Sequence, residues 1–130
     1  MRAVVPLLIL GALVATPASA FDINSFRAQH KLPPLSYSAA YAGAAQAHAY
    51  DLARRNHLDH NGFRERMGAL SSRAAENVAY GCADAECAYR MWALSAGHRR
   101  NMLMKGISSY GLANAVSASG RHYWVLELGN

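Results

Sequence analysis

Trp92-Ala93-Leu94-Ser95-Ala96-Gly97-His98-Arg99-Arg100-Asn101-Met102-Leu103 is the stretch on which the reading of the whole chain turns. Upstream of it, Ala88, Met91, Trp92 and Ser95 fall on one face of a helix predicted from Asp84 to Ser95. Gly97 is expected to stop that helix, and Arg99 to Leu103 to form a further turn. Ser95 and His98 stand three residues apart, which invites a serine–histidine reading. The glycine between them interrupts the helix, however, and no G-x-S-x-G elbow is present. Ser95 is therefore read as a cap or a small packing residue, and Trp92 as core.

Moving towards the N-terminus, Cys82 and Cys87 bracket the segment Cys-Ala-Asp-Ala-Glu-Cys. In an oxidising compartment the pair reads as one local disulfide. A C-x4-C pair without a second pair is a poor zinc signature, and redox catalysis would want C-x-x-C. So short a loop places the stabilisation at the low end, about 2 kcal/mol at most. Before it, Glu76-Asn77-Val78-Ala79-Tyr80-Gly81 is too short to assign by period. Arg64 to Leu70 suits a short helical segment, after a turn signal at Asn61-Gly62. Ser38 looks like an N-cap for a long alanine-rich helix running to about Asn56. Tyr41, Ala44, Ala45, His48, Leu52 and Ala53 form its buried stripe, and its many alanines should let another element approach closely. His48 on that stripe reads as a satisfied core histidine, and His57 as a solvated helix end or a spare ligand. Asn24 to His30 suits a short helix capped by Asp22 or Asn24 and ended by Pro33-Pro34.

Towards the C-terminus the pattern changes. Tyr110, Leu112, Asn114 and Val116 alternate with small residues, and His122 to Leu128 is aromatic and β-branched. With a turn over Ser117 to Gly120, the two runs should pair as an antiparallel hairpin. Helices first and strands last argue an α+β fold. Glu127 on the last strand faces either a cleft or water; period alone does not choose.

The chain has 130 residues. Residues 1–20 read as an export signal: Arg2, an uncharged apolar stretch from Ala3 to Ala15, and the small-residue pattern Ala18-Ser19-Ala20 after Pro17. The apolar stretch is short of the roughly 20 residues a spanning helix needs. A secreted or periplasmic location is expected, with no transmembrane anchor and with residues 21–130 forming a single domain, expected to be monomeric. Removing Arg2 leaves 12 basic and 8 acidic side chains, a formal charge of +4. A basic balance favours anionic neighbours such as envelope polymers. No aromatic-interleaved basic stripe supports specific nucleic-acid binding.

Three segments, taken in order, carry a family resemblance: His57-Leu58-Asp59-His60-Asn61-Gly62 after the alanine-rich helix, Glu76-Asn77-Val78-Ala79 after Ala75, and Trp92 to Leu103. With the closing strands they resemble the CAP superfamily (cysteine-rich secretory proteins, antigen 5 and plant pathogenesis-related proteins) in its compact bacterial form. The resemblance covers about Asp22 to Gly129, and the third segment is its most specific part. It implies a three-layer α-β-α sandwich with a small antiparallel sheet between helical layers. It also implies a cleft with two histidines and up to two carboxylates. Carried over by motif, these are His60, His98 and Glu76, with Ser95, Asn77 and His57 as further candidates for the cleft wall. Many relatives have a second glutamate three residues after the tryptophan, where this chain has Ser95. Ala75 and Ala96 stand where a glycine and a proline are common.

Two imidazoles and one carboxylate match the ligand set of an open zinc site, and zinc or another divalent cation is the cofactor to test. The ligands are far apart in sequence, with no H-E-x-x-H helix to fix them. The alternative is a hydrogen-bonded polar cluster without metal, in which two histidines would still make the cleft pH-sensitive. The resemblance points to a secreted binding domain for a lipid, a sterol or an anionic envelope polymer. The competing function is a metal-assisted hydrolase acting on peptide or envelope material.

Overall fold

The structure, a computed structural model, describes residues 20–130; the export signal expected at the N-terminus lies outside the described residues. Helix α1 (Ile23–Gln29) is capped by Asp22, whose side chain accepts from the Ser25 amide while Ser25 Oγ accepts from the Asp22 amide. The helix ends before Pro33-Pro34, because Lys31 takes a left-handed conformation (φ 57°) and turns the chain first. A two-residue strand β1 (Ser36–Tyr37) follows, unforeseen in the sequence. Helix α2 (Ala39–Arg55) starts at the Ser38 cap and stops at Asn56, which is left-handed. Helix α3 (Phe63–Met67) is shorter than the span expected for it.

The segment left unassigned by period is strand β2 (Ala74–Tyr80). Helix α4 (Ala85–Ala93) is capped by Asp84, and helix α5 (Ala96–Met102) begins directly after it. The break lies at Leu94-Ser95, not at Gly97, which sits inside α5. Ser95 is extended (φ −107°, ψ 121°) and its carbonyl accepts from the Arg99 amide at 2.8 Å, so it opens a new helix and offers no side-chain cap bond. Strands β3 (Ser109–Val116) and β4 (His122–Gly129) form the expected antiparallel hairpin.

The sheet order is β1-β3-β4-β2, antiparallel except for the short parallel β1–β3 pair. β4 is covered on both sides and buried along almost its whole length, which explains its near-continuous apolar sequence. On one face α2 packs Ala45, Ala49 and Leu52 against Val78, Ala113, Tyr123 and Val125. On the other, α1, α4 and α5 enclose Phe26, Trp92, Met102, Trp124 and Leu126. This is the α-β-α sandwich expected. Gly111 makes the first contact tight: a Cβ there would overlap the backbone of Tyr41 and Ala42 in α2.

Cys82 and Cys87 are disulfide-bonded, linking the exit of β2 to the first turn of α4. The Trp92 indole of α4 donates to the Val78 carbonyl on edge strand β2 at 3.1 Å, and Trp124 donates to the Cys82 carbonyl at 2.8 Å. Arg27, fully buried, donates to the carbonyls of Pro33, Met102 and Met104, tying α1 to the end of α5.

Candidate functional site

Pairing of β2 with β4 places Glu76 directly opposite Glu127. Strand alternation turns both towards the α2 face, and both side chains are essentially inaccessible, at 1% and 0% exposure. Two buried carboxylates side by side are costly, and the chain answers with one cation. Arg66 of α3 donates to Glu76 Oε2 through Nη2 (2.5 Å) and Nε (2.9 Å), and its Nε also lies 3.2 Å from Glu127 Oε1. Its Nη1 donates to the Asn61 carbonyl, locking the turn before α3. One guanidinium cannot balance two anions. Burial, then the hydrogen bond and charge of Glu76, push Glu127 far above the usual carboxylate range, so it is a neutral acid at pH 7. Burial acts to raise Glu76 too, but hydrogen bonds from Glu127, His60 and Arg66 outweigh it and keep Glu76 ionised.

His60, in the loop after α2, directs Nδ1 to Glu76 Oε1 at 2.8 Å while its side chain stays 52% exposed. A neutral ring therefore donates from Nδ1 and leaves Nε2 as an acceptor facing solvent. His48 of α2 is buried and donates from Nε2 to the Asp59 carbonyl at 2.8 Å, as expected of a satisfied core histidine. The same Nε2 lies 3.7 Å from Glu76 Oε1, so His48 also backs the carboxylate. His57 stands apart: its side chain is exposed and its nearest acidic neighbour is Asp59, at 3.9 Å.

Asn77 points to the opposite face of the sheet. Fully buried, it donates to the His98 carbonyl at 3.1 Å and accepts from Asn101 Nδ2 at 2.9 Å, seating α5 against β2. The His98 ring, with Ser95, lines a pocket of about 410 Å³ shared with Leu58, Val78, Tyr80, Met91 and Trp92. Burial depresses the basicity of His98, and the charge of His60 adds to the effect. The structure thus joins His60 to Glu76 directly, and ties the His98 backbone to Asn77, the next residue of β2, on the opposite face of the sheet. Arg66 and the backing role of His48 were missed, and Glu127, left open between a cleft and water, is buried beside Glu76. Only strand register could have revealed Glu127, and nothing local marks Arg66 among the surface arginines.

The donor set does not fit a divalent ion as it stands. Both Glu76 oxygens are engaged, and an arginine already supplies the positive charge. Among the described residues no group of three His, Cys, Asp or Glu side chains is placed to hold a metal. No helix among them is long and apolar enough to cross a membrane.

A three-layer sandwich with a histidine–glutamate cleft at one sheet edge defines the class of protein. The family model described as the cysteine-rich secretory protein family (CAP) matches residues 21–128, and the chain belongs to that family. It is 27% identical over 104 residues to "Uncharacterized protein YkwD" of Bacillus subtilis (strain 168), covering 74% of this chain and 40% of that protein. The chain thus spans less than half the length of this curated relative. An outer surface protein from Borrelia burgdorferi superposes with a TM-score of 0.73 at 16% identity, over 83% of this chain and 86% of that one. An extracellular protein containing a SCP domain from Bacillus anthracis str. Ames gives 0.69 at 24% identity, over 80% and 37%. At such identities the likeness carries the fold alone.

Proposed function

We propose that this is a domain acting outside the cytoplasm that binds a small amphiphile, its apolar part in the Trp92 pocket and its polar head against His98 and His60. One observation carries the reading: the pocket of about 410 Å³, walled by Leu58, Val78, Met91 and Trp92, ends on the polar side chains of Ser95 and His98. Apolar walls with a few convergent polar groups are what a lipid-like ligand needs. His60 offers Nε2 as an acceptor when neutral and a donor when protonated, held in place by Glu76. The local disulfide and the expected export signal support an oxidising compartment.

Native mass spectrometry of the domain with a fatty-acid series and a sterol tests the proposal. Retention of one equivalent is expected, and it should be lost in Met91→Glu, which places a charge on the half-exposed pocket rim. No retention, or retention untouched by that change, would overturn it. The metal-assisted alternative at His60, Glu76 and His98 would require Arg66 to leave Glu76. Stoichiometric zinc binding that His60→Ala abolishes is the result that would favour it.

A further inference from the structure

Helix α5 serves two sides of the molecule. Ser95, at its N-cap, and His98 face the cleft, whereas Ala96, Arg99 and Arg100 line a separate cavity of about 740 Å³ with Arg73, Leu103, Met104 and Lys105. Four cations surround this cavity and no acid does. The sequence explains the imbalance: between Glu86 and Glu127 there is no acidic residue, while Arg90, Arg99, Arg100, Lys105 and Arg121 all lie in that span. Several arginines elsewhere are matched, Arg54 and Arg55 by Asp51, Arg66 by Glu76, Arg90 by Glu86, whereas Arg64 and Arg121 are not but stand outside this cavity. Among the described residues none of Arg73, Arg99, Arg100 and Lys105 has a carboxylate within 4.0 Å.

One of these cations is held in place, and a second runs close along the backbone. Arg99 lies over the Phe26 ring at 5.2 Å and its Nη2 is 2.9 Å from His30 Nε2. His30 Nδ1 is 2.9 Å from the Phe26 carbonyl, so that nitrogen carries the proton and Nε2 accepts from the guanidinium. Arg73 runs past Gly106, a left-handed residue (φ 76°) at which a Cβ would meet the guanidinium stem at 3.7 Å. Cations concentrated in a concave surface, with Arg99 pre-positioned, raise the local potential and lower the ordering cost of binding an anion. Arginine forks match phosphate oxygens in pairs.

We infer that the cavity formed by Arg73, Arg99, Arg100 and Lys105 is a binding site for a phosphate group, separate from the cleft and independent of its ligand. The test uses the folded domain with two probes at moderate salt, inorganic pyrophosphate and monomeric dihexanoylphosphatidylglycerol, followed by amide chemical shifts. Saturable binding is expected, with shifts centred on residues 73 and 99–106. Arg100→Gln with Lys105→Gln should weaken it about tenfold or more, whereas Arg54→Gln with Arg64→Gln, an equal loss of charge elsewhere, should change it little. Tighter binding of the lipid would identify a headgroup as the phosphate source, with Leu103 and Met104 taking its first methylenes. Equal or tighter binding of pyrophosphate would identify free phosphate. No saturation with either probe, or equal weakening by both double variants, would overturn the inference.

Discussion

Arg66 holds two buried carboxyl groups that share one negative charge, so its loss and theirs have opposite consequences. Arg66→Met leaves Glu76 ionised without its partner. Removing one member of a buried pair costs about 3–5 kcal/mol, and a fall of that size in urea-unfolding stability at pH 7 is expected. Glu127→Gln should instead be tolerated, because the native side chain is already neutral. Its signature is in pH. Below the ordinary value of 4.5, Glu127 is protonated whether the chain is folded or not. Above it the unfolded chain releases the proton and the folded protein keeps it, so this residue's contribution to stability declines with rising pH until the folded group ionises. Glu76 works the other way: its contribution is present above 4.5 and fades as pH falls through its depressed value. From pH 5 to 9, the stability of Glu127→Gln should therefore gain on the native protein, by at most about 1.4 kcal/mol per pH unit. Parallel urea midpoints across that range would show that Glu127 is ionised in the fold.

At the scale of elements, α2 approaches β3 tightly at Gly111. Gly111→Ala drives a methyl group into the backbone of Tyr41 and Ala42, atoms that cannot rotate away. Overpacking of this kind typically costs about 1–3 kcal/mol. Thermal unfolding should show it, and the tilt imposed on α2 should shift the His48 ring resonances as well. Much of this level was legible in the sequence. Ser38 caps its helix as expected, Asp22 takes the cap left open between it and Asn24, and Asp84, read as the first helical residue, is the cap itself. The closing hairpin was readable from alternation. β2 was not, because Ala-Ala-Glu-Asn-Val-Ala-Tyr has no strong period and is a strand only through its pairing with β4. Gly97 misled for a related reason: a glycine is tolerated in the first turn of a helix whose start is set by the extended Ser95 before it. Of the candidate residues taken by motif, His60 and Glu76 meet directly. Arg66, Glu127 and His48 join Glu76 through which face and which turn they occupy, and distant parts of the chain decide both.

For the molecule as a whole, the sheet presents two margins, β1 and β2. A free strand margin is a template for another strand. Here one margin is β1, only two residues long. The other is β2, where an indole from α4 already occupies the Val78 carbonyl. Trp92→Phe keeps the ring in the core but removes that donor, leaving a buried carbonyl unmatched at a cost of about 1–3 kcal/mol. Light scattering at rising protein concentration should then show more self-association in Trp92→Phe than in the native domain. The tryptophan that walls the pocket thus also occupies, on the open side of β2, an acceptor that an incoming strand would need.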